Sequence, residues 1–266
     1  MLSTRIFTAL VGIPVIFACI YFGGIPFFIM MFAVSFFCGW EYFTLMRKYN
    51  PHKVLSLIMS VLFFLSLYGS SYDAKIAVSA IIMLLVLFAV EVFGKNTEKC
   101  IERIAVSFLG AFFLPLSLSF MVAIRDARYS GSDAMQYIFL IFITVWVLDT
   151  AAFAFGKMLG KHKLAEKVSP KKTVEGAVAG AVFGVLTAIA CKFIFISGLS
   201  AADAAVFGVI LSVVGQFSDL AESLIKRDAN IKDSGNIIPG HGGFLDRFDS
   251  YIFAAPLVYC YIFFIK

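Results

Sequence analysis

Charge is scarce in this chain: 15% of its 266 residues are Asp, Glu, Lys or Arg, against 61% that are hydrophobic, and the mean hydropathy is +0.94. So few charges cannot cover the surface of a water-soluble domain around its own core, which excludes the soluble classes. Cysteine is sparse and scattered. Cys19, Cys38, Cys100, Cys191 and Cys260 include no C-x-x-C pair and fall mostly in apolar runs, so they read as small core hydrophobes and not as disulfides or metal ligands. Of three histidines only His241 is well placed, between glycines in an acidic loop, and a single histidine does not make a zinc site. No Walker A pattern is present, which argues against a pump of that type. No A-x-A cleavage site follows the first apolar run, so that run reads as a retained helix. The formal charge of +5 is carried by neither a tail nor an aromatic-interleaved patch, which excludes nucleic acid as a partner.

What is present is a succession of apolar runs bounded by charge or by Gly and Pro, near residues 6–22, 27–46, 54–68, 76–93, 104–124, 137–155, 174–196, 204–225 and 251–265. The expectation is an all-α, polytopic transmembrane helical bundle of about nine spans, forming one integral membrane domain over residues 1–266. Lys and Arg are retained on the cytoplasmic side of a membrane. An N-terminus on that side gives the inner segments seventeen basic residues and the outer ones four, with Lys192 undecided near a span end. The N-terminus is therefore expected to be cytoplasmic, in an inner membrane. The two most polar connections, 156–173 and 226–250, then share that face.

An ionisable side chain inside a span costs at least about 2.5–3.5 kcal/mol on insertion scales, so Glu41, Asp149, Asp219 and Glu222 each need a partner or a role. Gln216, Asp219, Glu222 or Ser223, and Lys226 follow one another at helical spacing and form a polar stripe. Asp246 and Asp249 repeat the spacing at the start of the last run, with Arg247 between them, so two carboxylate pairs bracket one loop. Hard cations such as magnesium take one or two carboxylates and leave positions for phosphates; plain ion pairs with Lys226, Arg227 and Arg247 are the alternative. Between the pairs, Lys232-Asp233-Ser234-Gly235 and Pro239-Gly240-His241-Gly242-Gly243 offer backbone N–H groups to an anion, or simply make a turn. Asp149 reads equally as a nucleotide or metal ligand and as a partner for Lys157. Ser169-Pro170-Lys171-Lys172-Thr173 reads as a basic cluster before a helix that Thr173 would cap. Gly176, Gly180 and Gly184, every fourth residue, mark a close helix contact.

The stretch from Ser223 to Asp249, with Lys226-Arg227, Lys232-Asp233-Ser234-Gly235 and Pro239-Gly240-His241-Gly242-Gly243-Phe244-Leu245-Asp246-Arg247-Phe248-Asp249, resembles the signature of the phosphatidate cytidylyltransferases, without a departure. The segments from Trp146 to Gly160 and from Ser169 to Gly176 agree with it. The resemblance is specific over the second half, about 134–266, which it makes the catalytic half; the N-terminal helices, about 1–130, agree in hydropathy. It implies an enzyme, often a homodimer, that joins CTP to phosphatidate in the lipid bilayer. It also implies magnesium and a monovalent cation such as K+, with Asp219 and Asp246 as the metal ligands.

The second pKa of a phosphate monoester lies near about 6, so the phosphatidate head group is largely a dianion and needs no strong base. Fixed cations and metal must instead bring two anions together and stabilise the leaving pyrophosphate. Lys171, Lys172, Lys226, Arg227 and Arg247 are expected to neutralise phosphates, with Asp149 and the backbone at His241, Gly242 and Gly243 beside the nucleotide and Asp249 beside the metal pair. A CTP-dependent lipid or polyprenol kinase is the alternative within enzymes. An ion-coupled transporter is the alternative outside them, and it predicts an inverted repeat that the chain does not show.

Overall fold

The computed structural model describes residues 2–69, 73–94, 97–126, 131–240 and 242–265. Among these residues nine continuous helices follow in order: α1 (Leu2–Phe22), α2 (Gly24–Leu45, prolonged by a 3-10 turn at Met46–Tyr49), α3 (Lys53–Leu67), α4 (Asp73–Val92), α5 (Cys100–Arg125), α6 (Ala134–Leu159), α7 (Val174–Phe195), α8 (Ala201–Asp228) and α9 (Leu245–Cys260, prolonged by a π turn at Tyr261–Ile265). Each apolar run of the sequence lies on one of them. Six, in α2 and α4 to α8, are long and apolar enough to cross a membrane.

Side-chain contacts between distant segments show how the helices alternate. At one end the start of α1 meets the loop before α9 (Thr8 to Pro239), the end of α2 meets the end of α8 (Lys48 to Asp228, 2.8 Å), and the starts of α3 and α5 meet the end of α4. At the other end Arg125 of α5 grips the last carbonyls of α1, and Tyr261 beyond α9 binds Asp203 at the start of α8. Successive helices therefore run in opposite directions, as short connections between apolar rods require.

The two charges buried between α4 and α5 are explained by each other. Arg103 donates to both oxygens of Glu91, at 2.8 and 2.5 Å, and His52 Nε2 lies 2.8 Å from the same carboxylate. Removing one member strands the others away from water. Arg103→Ala is expected to lower the thermal midpoint of the purified protein by about 5 °C or more, and Arg103→Ala with Glu91→Gln to recover part of that loss.

The glycine pattern of α7 does what its spacing predicts. A Cβ on Gly176 would lie 2.6 Å from the Ala152 carbonyl oxygen, and one on Gly180 would lie 3.1 Å from that of Leu148, so α7 packs on α6 at backbone distance. Two irregularities were not legible beforehand. Both α5 and α8 contain a π turn, at Leu109–Phe113 and Ile210–Val214. In α5, Pro115 follows two residues after the turn and has no N–H to continue the ladder. In α8 the extra residue re-aims the stripe that begins at Gln216. The all-α class holds with one local addition: the 156–173 connection contains an antiparallel hairpin, β1 (Lys163–Ala165) and β2 (Ser169–Thr173). Pro170 suits the edge of a short exposed ladder better than the inside of a helical turn. Thr173 then caps α7 as expected, accepting from Gly176 N at 3.2 Å.

Candidate functional site

Four elements converge at the end of the bundle where α2, α6 and α8 finish and α7 and α9 begin. Their polar residues surround a cavity of about 1140 Å³. Its wall includes Lys171 from β2, Asp219, Lys226 and Arg227 from α8, Lys232 from the loop, and Asp246, Arg247 and Asp249 from α9. The stripe and the loop that looked separate in sequence thus form one concave surface, rich in both signs of charge.

Within it the carboxylates divide into two groups. Asp219, Glu222 and Asp249 each bring an oxygen to within 4.8 Å of the other two. Glu222 is buried; one oxygen takes Lys226 at 2.5 Å and the other has no hydrogen-bond partner. Lys172 contacts Asp219. Three carboxylates this close repel one another unless cations separate them, and the two lysines are the cations the protein itself supplies. An acidic group with a free buried oxygen beside an open polar cavity fits a hard divalent cation.

Asp246 plays a different part in the same wall. Its Oδ1 accepts from Lys226 at 2.7 Å, while Oδ2 accepts from Ser234 N (3.0 Å), Ser234 Oγ (2.8 Å) and Gly243 N (3.0 Å). One carboxylate therefore gathers both ends of the glycine-containing loop. Lys226, bound to Glu222 and to Asp246, links the two groups.

Beneath the loop lies Glu41 of α2, buried and more than 190 residues away in sequence. Its Oε2 accepts from Leu245 N at 2.9 Å and lies 3.1 Å from Ser234 Oγ. Gly235 and Gly243 are glycines because the backbone rests on this carboxylate: a Cβ on Gly235 would come within 2.5 Å of Glu41 Oε1, and one on Gly243 would overlap Glu41 and Ser234. Gly243→Ala is expected to reduce activity by about 10–100-fold, the effect of disturbing a supporting contact, measured against a variant altered only on the lipid-facing surface. The turn itself is closed by Ile238 N donating to Gly242 O at 2.9 Å, with Gly240 and Gly242 at φ +78° and +86°, a region that other residues rarely adopt.

The other expected residues fall as follows. Lys171 and Arg227 are exposed at the cavity edge, and Arg227 Nε donates to Val168 O at 3.0 Å, which fixes the hairpin against α8. Asp149 lies outside the large cavity but lines two smaller ones, of about 530 and 520 Å³, on either side of α6. Lys172 lines the first of these with Asp219. Gly242 lines the large cavity and Gly243 supports it, whereas His241 lies outside the described residues. Sequence reasoning placed Glu222 in the polar stripe and gave Glu41 either a partner or a place lining the site, without naming either as a ligand. It missed Ser234 as a bridge and Thr8 as a contact, since neither carries a local signal.

Comparison with known proteins gives the family. Residues 3–265 match the family described as the Cytidylyltransferase family. The phosphatidate cytidylyltransferase of Bacillus subtilis (strain 168) is 32% identical over 265 residues, covering 97% of this chain and 96% of that one. The protein of the same name in Staphylococcus haemolyticus (strain JCSC1435) is 30% identical over 97% of both chains. That of Staphylococcus aureus (strain COL) reaches 40% over 153 residues, 57% of this chain. With the match running through the helices, the hairpin and the acidic loop alike, the chain belongs to the cytidylyltransferase family.

Proposed function

We propose that the protein transfers the cytidylyl group of CTP to phosphatidate, releasing pyrophosphate and forming CDP-diacylglycerol. The observation that carries this is the large mixed-charge cavity set at one end of a bundle of apolar helices. There a water-borne nucleotide and a bilayer-borne lipid phosphate can reach the same carboxylates. The relatives' shared name supports the choice of substrates.

In this reading the helices form about nine spans of one membrane domain, with the N-terminus and the site on the cytoplasmic side, where the basic residues concentrate. Lys171, Lys226, Arg227 and Arg247 attract and hold the phosphates of CTP, and Lys172 turns from Asp219 toward the incoming phosphatidate. A phosphatidate oxygen attacks the α-phosphorus of CTP, the bond from that phosphorus to the β-phosphate oxygen breaks, and pyrophosphate leaves with the electron pair. The attacking group is already ionised, so the residues position and neutralise and do not abstract a proton. Magnesium would be held by Asp219 of the converging Asp219, Glu222 and Asp249 group, and by Asp246 Oδ1 once Lys226 leaves it for a phosphate, and would supply charge stabilisation on the phosphate oxygens; a monovalent cation such as K+ is a second proposed ion. Asp246 and Glu41 keep the loop folded over the nucleotide.

Purified protein is expected to release pyrophosphate from CTP only when both phosphatidate and magnesium are present, and to stop when the metal is chelated. Release without phosphatidate, or phosphorylation of a lipid alcohol in place of cytidylyl transfer, would overturn the proposal.

A further inference from the structure

We infer that the cavity of about 520 Å³ between α1 and α6 seats an acyl chain of the lipid substrate, with α1 as its movable wall. The inference rests on the proposed transfer to phosphatidate and adds the place where the hydrocarbon lies.

Gly12, Ile13 and Ile16 of α1 face Phe142 and Trp146 of α6 and Tyr251 of α9 across this space, whose size falls within the about 300–1,000 Å³ that enclose a small organic ligand. These α1 positions lie on one helical face, and a Cβ added at Gly12 would meet nothing within 4 Å. The opposite face of α1, with Leu10, Val11 and Val15 at 68%, 50% and 53% exposure, looks outward. Hydrocarbon thus borders the cavity wall, and the wall is one helix thick.

The inner end of the cavity identifies the occupant. Arg247 and Ile238 line both this space and the large polar cavity, so a chain lying here ends at a guanidinium shared with the site. That combination suits an acyl chain ending in a phosphate. The cavity on the other side of α6 is lined instead by Lys157, Lys163, Lys171 and Lys172, which suit an anionic head group better than a hydrocarbon.

α1 is held in a way that lets this wall move. At its far end Arg125 donates to Ile20 O and Tyr21 O, at 2.8 and 3.1 Å, and Phe17 packs on Phe139 and Trp146. Gly23 and Gly24 follow at φ +60° and +46°, a sharp corner where the helix can pivot. At the site end Thr8 Oγ1 donates to Pro239 O at 2.9 Å, a neutral contact to the glycine loop that a pivot can break.

Trp40 and Trp146 are the only tryptophans, so a Trp40→Phe background leaves Trp146 as a reporter inside the cavity. Phosphatidate brominated on its acyl chains, in detergent–lipid micelles without CTP or metal, is expected to quench Trp146 saturably, well beyond equally brominated phosphatidylcholine. Gly12→Leu on that background fills the space. It should abolish the excess quenching and raise the KM for long-chain phosphatidate about tenfold, the loss of roughly two buried methylenes. KM for CTP and for a short-chain, water-soluble phosphatidate should stay unchanged. Equal quenching by both brominated lipids, or a Gly12→Leu protein with unaltered quenching and KM, overturns the seat; should Gly12→Leu misfold, Ala9→Leu fills the same cavity. The quenching needs no turnover, so failure of the seat is distinguishable from failure of the proposed reaction, which the wild-type assay tests.

Discussion

Asp219→Asn is expected to lower cytidylyl transfer by at least about 10²–10³-fold, the loss seen when one preorganised charge-stabilising group is removed, while leaving the fold intact. Asp219 is a partly exposed member of the acidic group that also contains Glu222 and Asp249, and of the three it alone lines both the polar cavity and the lysine-bordered one beside it. It is thus the carboxylate that both substrates can approach. The amide keeps its shape but surrenders the charge that draws Lys172 and a divalent cation. Activity titrated against magnesium is the measurement. A variant that regains wild-type turnover at high magnesium still places the metal at Asp219, whereas one with normal turnover at limiting magnesium removes Asp219 from the site.

Lys226→Met should be as damaging, and for two reasons that separate experimentally. Its ammonium lies 2.5 Å from Glu222 and 2.7 Å from Asp246, and both carboxylates are largely enclosed. Removing it leaves uncompensated charge on largely enclosed carboxylates, and breaking a fully buried pair costs about 3–5 kcal/mol. It also frees Asp246 from one of the contacts that hold the loop. The expected result is a lower thermal midpoint together with loss of transfer. Adding Glu222→Gln should restore much of the stability without restoring activity, because the charge conflict is relieved but no cation faces the phosphates. Full recovery of both by the double variant would make Lys226 a purely structural counter-ion. Lys226→Arg keeps the charge yet cannot present a compact ammonium between two carboxylates on different helices, so it should fall between.

The glycines around Glu41 show why a loop signature can be read without being understood from sequence. Gly235 and Gly243 stand at positions where any side chain would run into Glu41 or Ser234. Their role is to let the loop backbone sit on a carboxylate of α2, not only to bend it. Nothing near Glu41 in the chain points to residues 234–245. The same holds for Thr8 and Pro239, 231 positions apart, and for the division of labour between Asp246, which organises the loop, and Asp249, which joins Asp219 and Glu222.

What the sequence by itself determined is everything with a local physical cause. Long apolar runs impose helices in a membrane setting, four-residue glycine spacing imposes a close helix contact on α7, Thr173 caps α7, and acids in apolar surroundings announce a site. What only the tertiary structure decided is which of those acids meet. Asp219, Glu222 and Asp249 come together, Asp246 turns to Lys226 and Ser234, and Glu41 reaches the loop from α2, because helix packing brings together side chains that chain order keeps apart. The hairpin at Lys163–Thr173 and the π turn before Gln216 belong to the same class. A few residues of strand pairing or one extra residue in a helix are chosen by what the neighbours allow, and the local pattern carries no trace of those neighbours.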